Sequence, residues 1–174
     1  LGLAAETLTA DDLSWAQGRI GILSGLYGIL RPLDLIQPYR LEMGNRLKTR
    51  RGANLYSYWG ARVSDQVNAW VDDHPHPVVV NLASQEYFKV LKGGELKARV
   101  ITPIFKELHK GKLKVISFNA KRARGLMTRW IVQDRIEDPA RLVEFDVDRF
   151  TFREELSDAA NLVFTRDFIP AGAA

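Results

Sequence analysis

The sequence predicts an α+β (mixed α/β) fold, a single domain over residues 1–174 with a small central sheet packed by helices and a helix-hairpin-helix-like elbow. Three observations predict it. Apolar residues recur at helical spacing in several long stretches, short runs rich in β-branched residues lie between them, and glycines and prolines crowd residues 23–44. With 174 residues, 46% hydrophobic and 26% charged, the chain can bury a core and is too apolar for a disordered segment. No internal repeat, low-complexity segment or linker interrupts it.

Thr9 is the candidate cap of a first helix, with Asp11 and Asp12 in the first turn, where they oppose the positive end of the helix dipole. Leu13, Ala16, Ile20, Leu23 and Tyr27 continue the helical spacing, so the helix is expected to run towards Tyr27. A second helix is expected from Asn54 to about Val71, its wide apolar face carrying Leu55, Tyr58, Trp59, Val63, Val67 and Trp70. Pro77 to Leu82 reads as a buried strand, and Ser84 as the cap of a short helix bearing Tyr87, Phe88 and Leu91. Arg99 to Phe105 and Lys112 to Phe118 read as a hairpin with Gly111 in its turn, Pro103 setting the first strand at an edge or a bulge. A helix from Ala120 to about Ile136 turns Ala123, Leu126, Met127, Trp130 and Ile131 inward. Asp138 opens a further helix, and Arg149 to Phe152 and Leu162 to Phe168 are the closing strands.

Composition excludes several function classes. The chain has no cysteine, hence no disulfide, thiolate metal site or thiol nucleophile, which fits a reducing cytoplasm. No apolar run approaches the roughly 20 residues that span a bilayer, so no membrane partner is expected. His74 and His76 lie in a proline-rich loop and His109 in a turn, so neither a Ser-His-Asp system nor a metal site has support, and no cofactor is called for. The net charge of +4 favours an anionic partner only modestly, but its distribution is uneven. Arg40, Arg46, Lys48, Arg50 and Arg51 stand against the single acid Glu42, and Lys121, Arg122, Arg124 and Arg129 against none. Either these runs form an anion-binding face or they are solvated surface.

Three places have the residue types for chemistry. In the first, Gly25, Leu26, Tyr27 and Gly28 form the hairpin of a helix-hairpin-helix, with Arg31 the phosphate ligand and Arg40 beyond it; such a unit offers backbone amides and basic side chains to a DNA backbone. The plain alternative is a structural elbow whose glycines close a helix and whose arginines pair with its own acids. The second is the end of the buried strand, where Asn81, Ser84, Glu86 and Lys89 could line a ligand crevice, Ser84 being equally suited to a helix cap. The third is Asn119 to Gly125, where a strand gives way to a helix. Free amides and the dipole favour an anion there, and Lys121 and Arg124 on adjacent turns could hold it. A basic first turn is electrostatically unfavourable at that end of a helix unless an anionic partner offsets it.

Residues 23–44, Leu-Ser-Gly-Leu-Tyr-Gly-Ile-Leu-Arg-Pro-Leu-Asp-Leu-Ile-Gln-Pro-Tyr-Arg-Leu-Glu-Met-Gly, together with Asn-Leu-Ala-Ser-Gln-Glu-Tyr-Phe-Lys at 81–89 and Ser-Phe-Asn-Ala-Lys-Arg-Ala-Arg-Gly-Leu-Met at 117–127, closely resemble the YaaA family of bacterial peroxide-stress resistance proteins. The resemblance runs from Ala5-Glu6-Thr7 to Leu162-Val163-Phe164-Thr165. It implies a cytoplasmic oxidative stress protein, responding to hydrogen peroxide, that binds double-stranded DNA through a helix-hairpin-helix. Family members are longer at the N-terminus and carry a Ser-Pro-Ala-Lys stretch near their start. This chain opens at Leu1, so it reads as about the C-terminal two-thirds of such a protein. Phosphate contacts without a recognition helix imply little sequence preference. The alternative is an enzyme acting on a phosphorylated metabolite or nucleotide, with Asn81, Ser84, Glu86, Lys89, Lys121 and Arg124 around an anion pocket. The sequence assigns no catalytic residue and no oligomeric state.

Overall fold

The computed structural model describes residues 2–72 and 74–170. In chain order the elements are α1 (Ala10–Gln17), β1 (Ile22–Ser24), β2 (Gly28–Leu30), α2 (Leu55–Trp59), α3 (Arg62–Val71), β3 (Val78–Val80), α4 (Gln85–Phe88), β4 (Arg99–His109), β5 (Lys112–Lys114), α5 (Ser117–Gln133), β6 (Thr151–Phe152) and β7 (Asn161–Asp167), with several 3-10 turns between them. The fold is therefore mixed α and β, in two compact units.

The unit made of residues 2–8, 78–82 and 100–170 is built on a five-stranded sheet ordered β3, β4, β7, β6, with β5 also paired to β4. β4 and β7 are parallel, from Thr102 beside Asn161 to Leu108 beside Asp167. The β4–β5 hairpin turns through Lys110 and Gly111, both at positive φ, the two-residue turn that matches strand twist. Pro103 sits in a gap. Thr102 donates its amide to Ala160 on the β7 side, and Ile101 accepts from Asn81 on the β3 side. Amide direction alternates along a strand, so the nitrogen of Pro103 faces the β3 side, between the end of β3 at Val80 and the start of β5 pairing at Glu107.

Four phenylalanines make the core of this unit. Phe105 on β4 stacks on Phe164 of β7 with ring centroids 5.5 Å apart, and Phe145 and Phe150 meet it edge to face. Ala120, Ala123 and Met127 of α5 close over them, so the small residues of the helix face set how near it approaches the rings. α5 starts at Ser117, three residues before the expected Ala120, and β5 ends at Lys114, not Phe118. The segment opened by Asp138 is a 3-10 turn, Pro139–Glu144, capped by the Asp138 carboxylate on Ala140 N–H.

The other unit, residues 9–77 and 83–99, is mainly helical. Thr9 caps α1 in a capping box, its hydroxyl accepting from Asp12 N–H while the Asp12 carboxylate accepts from Thr9 N–H, each at 3.1 Å. The helix stops at Gln17 and does not reach Tyr27, because Gly18 and Gly21 interrupt it before the β-branched Ile22 begins β1. The expected second helix is likewise two, α2 and α3, broken at Gly60, whose φ of 52° lies outside the helical region. A Cβ on Gly93 would run into the Gly60 carbonyl, so the break lets the Lys89–Gly93 3-10 turn pack closely. Buried Val63, Val67, Val90 and Leu91 fill this junction, and the buried Asn68 amide pairs with Glu95 O and Lys97 N–H.

Candidate functional site

The carboxyl ends of the parallel strands β4 and β7 meet the N-terminus of α5. Glu107 and Arg166, register partners on the two strands, are buried there with side chains 2% and 3% exposed. Arg166 donates from Nε and Nη2 to Glu107 Oε1, at 2.6 and 2.5 Å, and from Nη1 to Asp148 Oδ2 at 2.5 Å. Asn119 Nδ2 donates to the other Glu107 oxygen at 2.8 Å, and Arg122 Nη1 to Asp148 Oδ2 at 2.7 Å. Every charge in this group is balanced by a neighbour, which is the condition for keeping ions out of water. Asp148 and Arg149 both hold positive φ, 59° and 64°, a strained backbone that the ion pairs keep in place.

This network sorts the basic block of α5. Arg122 is committed to Asp148, and Arg129 donates to Leu3 O, Ala4 O and Thr7 Oγ1, tying the N-terminal segment to the helix. Lys121 and Arg124 differ. Lys121 is exposed and has no ion-pair partner among the described residues. Arg124 is half-buried, donates from Nε to Ala120 O at 3.3 Å, and has no carboxylate partner among the described residues. Burial lowers its pKa from the ordinary arginine value, yet a guanidinium stays charged at neutral pH. The two cations are three apart on one helix, so they share a face. Among the described residues no side chain caps the α5 N-terminus, and its first amides have no intrahelical acceptor.

The elbow is not a helix-hairpin-helix. Residues 25–27 join β1 to β2, an antiparallel pair with Ser24 beside Gly28, so the glycines belong to a strand hairpin. Gly28 has φ 78°, and a Cβ there would lie 2.8 Å from the Trp59 ring; a Cβ on Gly25 would lie 2.5 Å from Leu41 O. The Tyr27 amide is already given to Ser24 Oγ at 3.0 Å, so it is not offered to a phosphate. Leu26 is exposed. Arg31 is bound by Asp34, which accepts from its N–H, Nε and Nη2 at 2.9, 3.2 and 3.0 Å. The backbone amide and then the guanidinium of Arg31 hold the Asp34 carboxyl below the usual range. Arg40 is exposed, with no partner among the described residues.

The second block has structural work to do at each position. Ser84 Oγ caps α4 on Tyr87 N–H at 3.3 Å, Glu86 accepts the Gly44 amide at 2.8 Å, and the Lys89 ammonium lies 4.8 Å from the Tyr56 ring centre. Asn81 belongs to the sheet unit and donates to Thr102 Oγ1 at 3.4 Å, whereas Ser84, Glu86 and Lys89 belong to the helical one.

The strand expected to end at Phe105 runs to His109 as β4, and the charge network it carries was missed, although one signal marks it. Glu107 is in phase with Ile101, Pro103 and Phe105, the inward positions of β4, and an acid on a buried strand face requires a partner. Among the described residues, no group of three or more His, Asp or Glu is arranged to hold a metal ion, and no helix is long and apolar enough to cross a membrane.

The fold is thus mixed α and β, and at the start of α5 two cations, Lys121 and Arg124, have no carboxylate partner among the described residues. Residues 1–156 match the model of the family described as peroxide stress protein YaaA, and the chain belongs to that family. It is 53% identical to a UPF0246 protein of Dechloromonas aromatica and 52% identical to one of Maricaulis maris, each over 165 residues and 95% of this chain. A UPF0246 protein of Ralstonia nicotianae is 53% identical over the same length. The chain spans about 64% of the length of these curated relatives.

Proposed function

We propose that the protein is a cytoplasmic peroxide-stress protein that binds double-stranded DNA through phosphate contacts, with little sequence preference. The observation that carries this reading is the division of labour on α5. Arg122 and Arg129 are consumed by the fold, while Lys121 and Arg124 share a helix face near the first amides of α5 and have no carboxylate partner among the described residues. Holding two such cations close together costs Coulomb energy that an anion removes. Arg40 and the basic residues up to Arg51 are a separate basic stretch, in the helical unit. Family membership supports the peroxide role.

The alternative, an enzyme acting on a phosphorylated metabolite or nucleotide, draws less support. Asn81, Ser84, Glu86 and Lys89 each have a local partner, and the remaining members of that set are the same Lys121 and Arg124. Titration of the protein with a short duplex at low and physiological salt tests the DNA reading. Log affinity falls by about 0.9 per phosphate neutralised for each tenfold rise in salt, so two to four contacts give a slope of about −2 to −4. An affinity that does not change with salt contradicts it.

A further inference from the structure

Beside the β1–β2 hairpin, α2 and α3 line a groove of about 490 Å³. That volume is within the range of small-molecule sites. Three half-buried aromatic side chains, Tyr27, Trp59 and Trp70, line it together with polar ones. Trp59 is fixed in place, its Nε1–H donating to Gly25 O at 3.0 Å and its ring lying against Gly28, where any Cβ would collide. The Trp70 ring lies close to Gly21, where a Cβ would come within 3.2 Å of it. The aromatic surface is thus set before any ligand arrives.

Along the same groove Arg62, Gln66 and Trp70 are spaced four apart on α3 and so lie in one row on one face. Arg62 donates to Tyr58 O at 2.7 Å and has no carboxylate partner among the described residues. Gln66 has no hydrogen-bond partner among the described residues, leaving a donor and an acceptor on one planar amide. At the rim the Arg31–Asp34 pair is self-neutralised, with its carboxylate held ionised and able to accept from hydroxyls or amines. An inorganic anion has no use for three aromatic rings, and an apolar ligand none for a guanidinium and a free amide. A planar heteroaromatic ring carrying an anionic group uses all of them: the rings stack it, the amide reads its edge, and the guanidinium takes the charge.

We propose that this groove binds a nucleotide, its base against the Trp59 and Trp70 surface, its edge at Gln66 and its phosphate at Arg62. The inference goes beyond duplex binding at α5 and uses different residues. The nucleotide comes either free or from an unpaired strand, and the same experiment separates these sources. Intrinsic tryptophan fluorescence of the protein is titrated with AMP, GMP, CMP and UMP, with ribose 5-phosphate as the ligand lacking a base. The Arg62→Ala and Gln66→Ala variants are titrated alongside, their folding checked by thermal melting; both positions are exposed, so neither is needed for the core.

At least one nucleotide quenches the fluorescence and binds tenfold or more tighter than ribose 5-phosphate. Arg62→Ala weakens it about tenfold, and Gln66→Ala changes the order of preference among bases. No quenching by any nucleotide, equal binding of ribose 5-phosphate, or unchanged binding by both variants overturns the proposal. A short single strand that binds tighter than the monophosphates and is weakened by Arg62→Ala identifies unpaired nucleic acid as the source. A strand that binds no tighter identifies free nucleotide. Duplex binding that survives Arg62→Ala and is lost by charge reversal at Lys121 and Arg124 belongs to the α5 face and leaves the groove proposal standing on the nucleotide titration alone.

Discussion

Glu107 and Arg166 sit opposite each other in the register of β4 and β7, and their side chains meet where the two parallel strands end. Each is nearly inaccessible to water. A buried pair of this kind is costly to break because the survivor keeps its charge and loses its partner. Glu107→Gln therefore lowers stability by about 3 to 5 kcal/mol, read from urea unfolding. It also releases Asn119 and, through Arg166, the strained Asp148–Arg149 turn. A loss below about 1 kcal/mol would show that the pair does not organise this end of the sheet.

Gly28 and Gly111 have nearly the same φ, 78° and 73°, but different surroundings. Among the described residues nothing lies within 4 Å of a Cβ on Gly111, whereas on Gly28 it meets the Trp59 ring. Gly111→Ala pays only the left-handed backbone, about 1 to 2 kcal/mol. Gly28→Ala loses more and also shifts the tryptophan emission, since Trp59 has to move. Equal losses and an unchanged spectrum would place the Trp59 ring elsewhere.

Two carboxyls give stability a pH dependence of known sign. Asp34 is held low by the Arg31 backbone amide and guanidinium, and Asp158 by the Asn161 side chain and then the Ala160 and Asn161 amides. A folded pKa below the unfolded value, about 3.9 for Asp, stabilises at pH above the unfolded value, and the contribution fades as pH falls through the folded one. Asp34→Asn and Asp158→Asn are therefore less stable than the parent at pH 7, and the gap closes below about pH 3 to 4. Melting temperatures across that range decide it; a gap that persists unchanged in acid would exclude these carboxylates as the cause.

The elements with a local chemical signature were legible in the sequence. Thr9 and Ser84 cap where hydroxyls precede helices, and Gly111 turns the β4–β5 hairpin. What failed was periodicity at glycine. The spacing through Leu23 and Tyr27 continued past Gly18 and Gly21, and Gly60 lay inside an unbroken apolar stripe. A glycine costs a helix only about 1 kcal/mol, too little for local sequence to decide whether the helix ends. The decision came from contacts distant in sequence, Leu41 against Gly25 and Gly93 against Gly60. On α5 the basic block was visible, but its division was not, because Asp148 and the Leu3 and Ala4 carbonyls are brought to it only by the fold.

The role proposed for Lys121 and Arg124 is to hold phosphate. It is tested by duplex titration of the Lys121→Glu, Arg124→Glu protein beside a Lys112→Glu, Lys114→Glu control on the exposed β5, which changes the net charge by the same amount. The α5 reversal abolishes binding with folding preserved, while the β5 reversal weakens it only slightly. Equal effects from the two would contradict a phosphate site on α5 and reduce the interaction to net charge.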